Sequence, residues 1–180
     1  MRLDHLFRAL RFASEKHRLQ RRKDAEGSPY INHPIAVATV LCAEAGVTDE
    51  TTLLAAVLHD TVEDTETSFE ELEQEFGAEV SELVRELTDD KSLRKEERKR
   101  LQIEHARTAS ERAKRLKIAD KISNVRDILD TPPESWSDER RLEYLDWAGK
   151  VVSQCRGVEP RLEALFDGIV TTARNSIETV

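Results

Sequence analysis

The stretch Leu53-Leu54-Ala55-Ala56-Val57-Leu58-His59-Asp60-Thr61-Val62-Glu63-Asp64-Thr65 is apolar at first and then places a His-Asp pair and a Glu-Asp pair in succession. Read as one continuous helix, residues four apart share a face, so Glu63 is expected over His59 and Asp64 over Asp60. One imidazole and three carboxyl groups at the end of a core segment are costly unless paired or bound to a cation. Acid at a helix C-terminus also opposes the helix dipole, which points to a functional reason for Glu63 and Asp64. His33 upstream and Asp120 downstream extend the set. His33, His59, Asp60 and Asp120 together make a mixed N/O donor set suited to Mn, Fe, Zn or a similar divalent ion. Such an ion activates water and offsets charge building on a phosphoryl oxygen. Glu63 and Asp64, a turn away, are within reach of that water.

The elements that must position these groups read as helices throughout. Leu3, Leu6, Phe7, Leu10, Ala13 and His17 keep a 3–4 spacing. A basic, turn-rich segment follows, Gln20 to Pro29, and Pro34 suits the first turn of the next helix, expected to run to about Ala45 and stop at Gly46. Asp49 or Thr48 can cap the helix carrying His59. Ser68-Phe69-Glu70-Glu71 is a capping-box pattern for a helix ending near Gly77, and another helix spans about 78–87. Residues 89–107 are dense in charge, and the run 94–100 is read as a mainly solvated face. A helix resumes near Ser110 with Ala113, Leu116, Ala119, Ile122 and Val125 on one face, and Thr131-Pro132-Pro133 breaks it. Helices at about 137–155 and 160–175 close the chain. No segment alternates as a strand would, so the expected fold is all-α, a single domain over residues 1–180.

Composition narrows the function classes. The chain has 180 residues with 38% hydrophobic and 36% charged, enough for one domain with a real core. A formal net charge of −8 disfavours nucleic acid as a partner, while a small anionic substrate fits if basic residues cluster locally. No segment is long and apolar enough to span a membrane, and the N-terminus lacks the apolar run of a signal peptide. Cys42 and Cys155 both fall in helical apolar patterns and are expected to be buried, reduced thiols of a cytoplasmic protein.

Three motifs now stand in order: Gly27-Ser28-Pro29-Tyr30-Ile31-Asn32-His33-Pro34, then Leu58-His59-Asp60-Thr61-Val62-Glu63-Asp64-Thr65, then Lys117-Ile118-Ala119-Asp120-Lys121-Ile122-Ser123-Asn124. They resemble those of the HD-domain phosphohydrolases and, more closely, of the RelA/SpoT hydrolase family and its small stand-alone alarmone hydrolases. The likeness runs from about residue 4 to about 170. It implies an HD-domain helical bundle that hydrolyses the 3′-pyrophosphate of ppGpp or pppGpp, giving GDP or GTP and pyrophosphate, with Mn²⁺ as the usual metal.

By the same resemblance, His33, His59, Asp60 and Asp120 would be the metal ligands, and Glu63 and Asp64 the groups handling water and the leaving group. Arg22 and Lys23 match positions at the guanine end. Lys95 and Arg140 match positions that approach phosphates, with Tyr144 one turn beyond Arg140. Asn124 would contact the sugar or a phosphate. Ser123 stands where close relatives often carry an aromatic, a departure expected to affect nucleoside packing and to spare the metal set. The length leaves no room for synthetase or regulatory domains, so a hydrolase-only enzyme is expected.

Other readings compete with this one. The same metal set would serve a phosphohydrolase acting on a deoxynucleotide or on the 2′-phosphate of NADPH, or a sensor that binds nucleotide without chemistry. The Glu63-Asp64 pair and the Arg22-Lys23 loop favour the alarmone. His5, His17 and His105 are expected to be structural, and Trp136 and Trp147 packing residues.

Overall fold

The computed structural model describes residues 2–179; Met1 and Val180, part of the expected 1–180 domain, lie outside the described residues. Helix α1 (Leu3–Lys16) buries Ala9 and Ala13 and leads into a loop closed by one antiparallel bridge between Arg21 and Pro29. Helix α2 (Asn32–Thr39) continues into a wider π turn at Val40–Glu44, and Gly46 ends it with φ of 73°. A positive φ is open to glycine without the clash a Cβ would bring.

Helix α3 (Glu50–Leu58) is the centre of the fold, with Thr52 to Leu58 all buried. Asp49 rather than Thr48 caps it, accepting from Thr52 N at 3.0 Å. The expected single helix through residue 65 is broken: α3 stops at Leu58, and a short α4 (Thr61–Asp64) follows. The Thr61 hydroxyl donates to the Leu58 carbonyl at 2.6 Å, satisfying a backbone acceptor that the break would orphan.

Helices α5 (Phe69–Phe76) and α6 (Ala78–Leu87) follow, with Ser68 Oγ accepting from Glu71 N at 3.1 Å as the capping pattern predicts. The charged stretch then forms α7 (Lys95–Thr108), and residues 94–100 are mostly exposed, as a solvated face would be. Helix α8 (Glu111–Asp130), capped by Ser110, packs against α2, α3, α6, α9 (Asp138–Ser153) and α10 (Pro160–Glu178). Ala55, Ala56, Ala113 and Ala119 have no exposed surface and let these helices approach closely. Small residues at such crossings shorten the interaxial distance. One continuous cluster of buried apolar side chains joins α1, α2, α3, α6, α8, α9 and α10. Cys155 is part of it, whereas Cys42 is exposed, contrary to expectation; both are free thiols. Cys42 lies on the π turn, where the wider winding moves it off the core face. No helix among the described residues is long and apolar enough to cross a membrane.

Candidate active site

Where α2, the end of α3 and the middle of α8 meet, His33, His59, Asp60 and Asp120 converge. The Nε2 atoms of His33 and His59 and a carboxylate oxygen of Asp60 lie within 4.8 Å of one another. Asp60 Oδ2 is 3.1 Å from His59 Nε2 and 3.7 Å from His33 Nε2. Asp120 Oδ1 is 3.1 Å from His33 Nε2 and 4.0 Å from His59 Nε2. His33, His59 and Asp60 therefore form one compact group of possible donors, and Asp120 lies beside it against the two imidazoles.

Their surroundings orient them. The His59 Nδ1–H donates to the Ala56 carbonyl at 2.8 Å, which leaves the Nε2 lone pair facing the carboxylates. That nitrogen is buried and has no hydrogen-bond partner among the described residues. The carboxylates demand positive charge at this point. Burial works against a charged His59, yet Asp60 and Asp120 prevail and push it up to about 9. Burial likewise works against ionised Asp60 and Asp120, but facing histidines hold the first, and Lys121 with both histidines the second, far below the usual carboxylate range. A divalent cation at the same point meets this demand, so the donor set fits a metal of the N/O-binding kind.

Sequence reasoning missed several residues here. The Tyr30 hydroxyl donates to Asp60 Oδ2 at 2.7 Å, and Lys121 Nζ donates to Asp120 Oδ2 at 2.7 Å. The Ser123 hydroxyl lies 3.3 Å from His33 Nδ1 and is buried. Ser123 thus sits behind a member of the donor set rather than on the nucleoside side, which corrects the expectation for it. The reason is helical: three residues after Asp120, it shares that flank of α8 and faces α2.

Glu63 and Asp64 part company at the break between α3 and α4. Asp64 keeps its place one turn above Asp60 through a 2.9 Å bond from Asp64 N to the Asp60 carbonyl. Its carboxylate accepts from Gln20 Nε2 at 2.7 Å and pairs with Lys91. Glu63 is turned instead toward the loop after α6, accepting from Asp89 N at 3.0 Å, with Arg98 Nη1 3.8 Å away. It is not stacked over His59 by a continuing helix. Burial first, and then the Asp89, Asp60 and Asp64 carboxylates, push Glu63 up to about 7 despite the Asp89 N–H. A carboxyl poised there can take and return a proton near neutrality.

The donor cluster opens into a three-lobed cleft. The lobe over the cluster is about 290 Å³ and includes Glu63, Asn124 and Trp147 in its walls. A second lobe of about 380 Å³ lies among Arg22, Lys23, Asp64, Asp127, Pro133 and Trp136. A third of about 230 Å³ is walled by Lys23, Lys95, Lys99, Arg140 and Trp147. Tyr144 borders all three. All six residues expected on the substrate side, Arg22, Lys23, Lys95, Asn124, Arg140 and Tyr144, therefore line one cleft.

Their pairings differ. Arg22 is engaged by Asp127, by Asn124 Oδ1 at 3.2 Å and by the Tyr30 ring, while Asn124 Nδ2 donates to Asp120 at 2.8 Å. Lys23, Lys95, Lys99 and Arg140 have no ion-pair partner among the described residues. Burial and then Arg140, Lys23 and Arg98 push Lys95 down, the mark of crowded cations. The charged run on α7 thus divides: Arg100 pairs with Glu97 and Glu104 outside, and Lys95, Arg98 and Lys99 face the cleft. Trp136 and Trp147 also do more than pack, since the first carries Arg140 at 4.6 Å and the second Lys121 at 4.6 Å.

Comparison with known proteins places this architecture. The family model described as "HD domain" matches residues 9–145. Human guanosine-3′,5′-bis(diphosphate) 3′-pyrophosphohydrolase MESH1 is 56% identical over 158 residues, 88% of each chain. The Drosophila melanogaster protein of the same name is 55% identical over 160 residues, 89% of each chain. A solved metazoan ortholog of SpoT, described as hydrolysing ppGpp and playing a role in starvation responses, superposes with a TM-score of 0.90 at 52% identity. That likeness covers 93% of this chain and 94% of the other. At this identity over nearly its full length, the chain belongs to the HD-domain family and, within it, to the group of the MESH1 hydrolases.

Proposed function

We propose that the chain is a metal-dependent guanosine-3′,5′-bis(diphosphate) 3′-pyrophosphohydrolase, formed by residues 1–180 as one hydrolase domain. The continuous buried cluster from α1 to α10 supports the single unit. The observation that carries the activity is a donor cluster opening directly into a cleft whose outer lobes are walled by Arg22 and Lys23 with Trp136 on one side and by Lys95, Lys99 and Arg140 on the other.

His33, His59, Asp60 and Asp120 would hold one divalent ion, Mn²⁺ by family likeness and by its tolerance of mixed imidazole and carboxylate donors. When bound, that ion supplies Lewis-acid activation of water and charge neutralisation at the phosphoryl group. Glu63 takes a proton from the attacking water, its ionisation poised near neutrality. Asp64, fixed by Gln20 and Lys91, manages the proton needed by the leaving ribose oxygen. Arg22, Asn124 and Tyr144 position the nucleoside between the lobes. Lys95 and Arg140 receive phosphates through charge-assisted hydrogen bonds, and Lys23, bordering both outer lobes, stands with Arg22 at the guanine end. The free, exposed thiol of Cys42 suits the reducing cytoplasm.

A substrate panel tests the assignment. Turnover of ppGpp and pppGpp above NADPH and deoxynucleoside monophosphates is expected; a preference for the latter would transfer the site to another nucleotide.

A further inference from the structure

Helix α8 presents Lys117, Asp120, Lys121 and Asn124 at i, i+3, i+4 and i+7, one polar stripe that borders the lobe over the donor cluster. Three of the four have evident partners. Asp120 and Lys121 bond each other, Asn124 bonds Asp120, and Lys121 also lies over Trp147. Lys117 is different. Its side chain is buried, with 8% of the residue exposed, and it has no hydrogen bond or ion pair among the described residues. Around it in the lobe are Leu87, Gln102 and Leu116, with Asp89, Asp120, Lys121 and Cys155 near enough to affect its charge. Burial and then Lys121 push its ammonium down from the ordinary lysine range.

A largely buried lysine that borders a lobe with no hydrogen-bond or ion-pair partner is placed to be completed by an anion. The lobe of about 290 Å³ over the donor cluster carries Lys117 in its wall. We propose that Lys117 is a phosphate-binding residue of this site, receiving the terminal phosphate of the 3′-diphosphate and holding the pyrophosphate as it forms. The proposal rests on the ppGpp reading above and assigns a subsite within it.

In the reaction, the water oxygen bonds to the phosphorus next to O3′, and the P–O3′ bond breaks with its electron pair going to O3′. One hydrogen of the water ends on O3′, and the other remains on pyrophosphate or passes to solvent. Negative charge thus resides on a free pyrophosphate, and Lys117 faces that charge. A substrate with a single 3′-phosphate has no second phosphate to reach it.

Lys117→Met, similar in shape and uncharged, tests the assignment with inorganic pyrophosphate as probe on the Mn²⁺-loaded protein. Calorimetric titration is expected to show pyrophosphate binding weakened about tenfold or more, the equivalent of one charge-assisted hydrogen bond. GDP affinity and metal content are expected to match the parent. The metal-free variant is expected to melt no lower than the parent, since an unpaired charge has been removed from the interior. Pyrophosphate bound as tightly as by the parent overturns the proposal, and so does a Tm below the parent's, which would make Lys117 a structural residue. If the parent binds pyrophosphate through Lys117 but does not turn over ppGpp, the subsite stands and the substrate reading falls.

Discussion

The Tyr30 hydroxyl donates to Asp60 Oδ2 at 2.7 Å, so the loop before α2 reaches directly onto a member of the donor set. Burial and the Asp60 carboxylate raise the Tyr30 pKa far above its ordinary value, keeping it a donor at any working pH. A carboxylate oriented this way offers its remaining lone pairs to the cation. Tyr30→Phe should keep the fold and weaken metal binding by about 10- to 100-fold, the usual effect of removing such a support. Titration of the metal-free variant with Mn²⁺ checks this, and unchanged affinity would assign Tyr30 to packing alone.

Ser123 supports His33 in the same manner, through Nδ1. Ser123→Ala should lower metal affinity while leaving the KM for substrate close to the parent value once metal is saturating. A raised KM with intact metal affinity would return Ser123 to the nucleoside side, where sequence alone placed its effect.

Glu63→Gln separates metal binding from turnover. The amide keeps the acceptor for Asp89 N but cannot take a proton, so kcat should fall by about 10²- to 10⁴-fold with metal content unchanged. Rates near the parent's would remove Glu63 from the chemistry.

The same carboxyl gives a pH dependence with a definite sign. Its pKa is about 7 in the fold against an ordinary 4.5. Below the lower value it is protonated whether folded or unfolded and has no effect on stability. Between the two, only the unfolded chain releases the proton, so stability falls as pH rises. Above about 7 the loss is complete. Metal-free Glu63→Gln should therefore melt above the parent at alkaline pH and with it in acid. A variant less stable than the parent in alkali would mean that the ionised carboxylate is welcomed there. Activity runs the opposite way, falling in acid as Glu63 and the donor set take protons and metal leaves.

Lys95 and Arg140 face the cationic lobe without carboxylate partners. Replacing either with Ala should raise KM by about tenfold or more with a smaller change in kcat, the loss of one charge-assisted bond. Salt dependence of KM should also weaken in each variant. A loss confined to kcat would place these cations at the reacting phosphate instead.

Much of this architecture was legible because it depends on local chemistry. Ser68 caps α5 as its spacing predicts, Asp49 is the cap of the two residues expected to start α3, α8 begins at its Ser110 cap where a helix is expected to resume, and Thr131-Pro132-Pro133 ends it. His33, His59, Asp60 and Asp120 are singled out by their types and order, and the fold brings them to one place. What escaped notice depends on contacts between distant segments. Tyr30 sits thirty residues before Asp60, and a loop tyrosine carries no mark of its partner. Lys117 and Lys121 look like surface lysines until α8 is packed, although their spacing with Asp120 and Asn124 was a signal available in the sequence. The break after Leu58 was hidden because Thr61 and Val62 continue the apolar pattern. Cys42 was misplaced because a π turn shifts its winding away from the 3.6-residue period.

The most direct measurement is incubation of the Mn²⁺-loaded protein with ppGpp and chromatographic identification of the products, with Asp60→Ala as control. The account predicts GDP and pyrophosphate from the parent and neither from the variant, which should also lose its metal. No turnover by a parent protein shown to hold metal would contradict it.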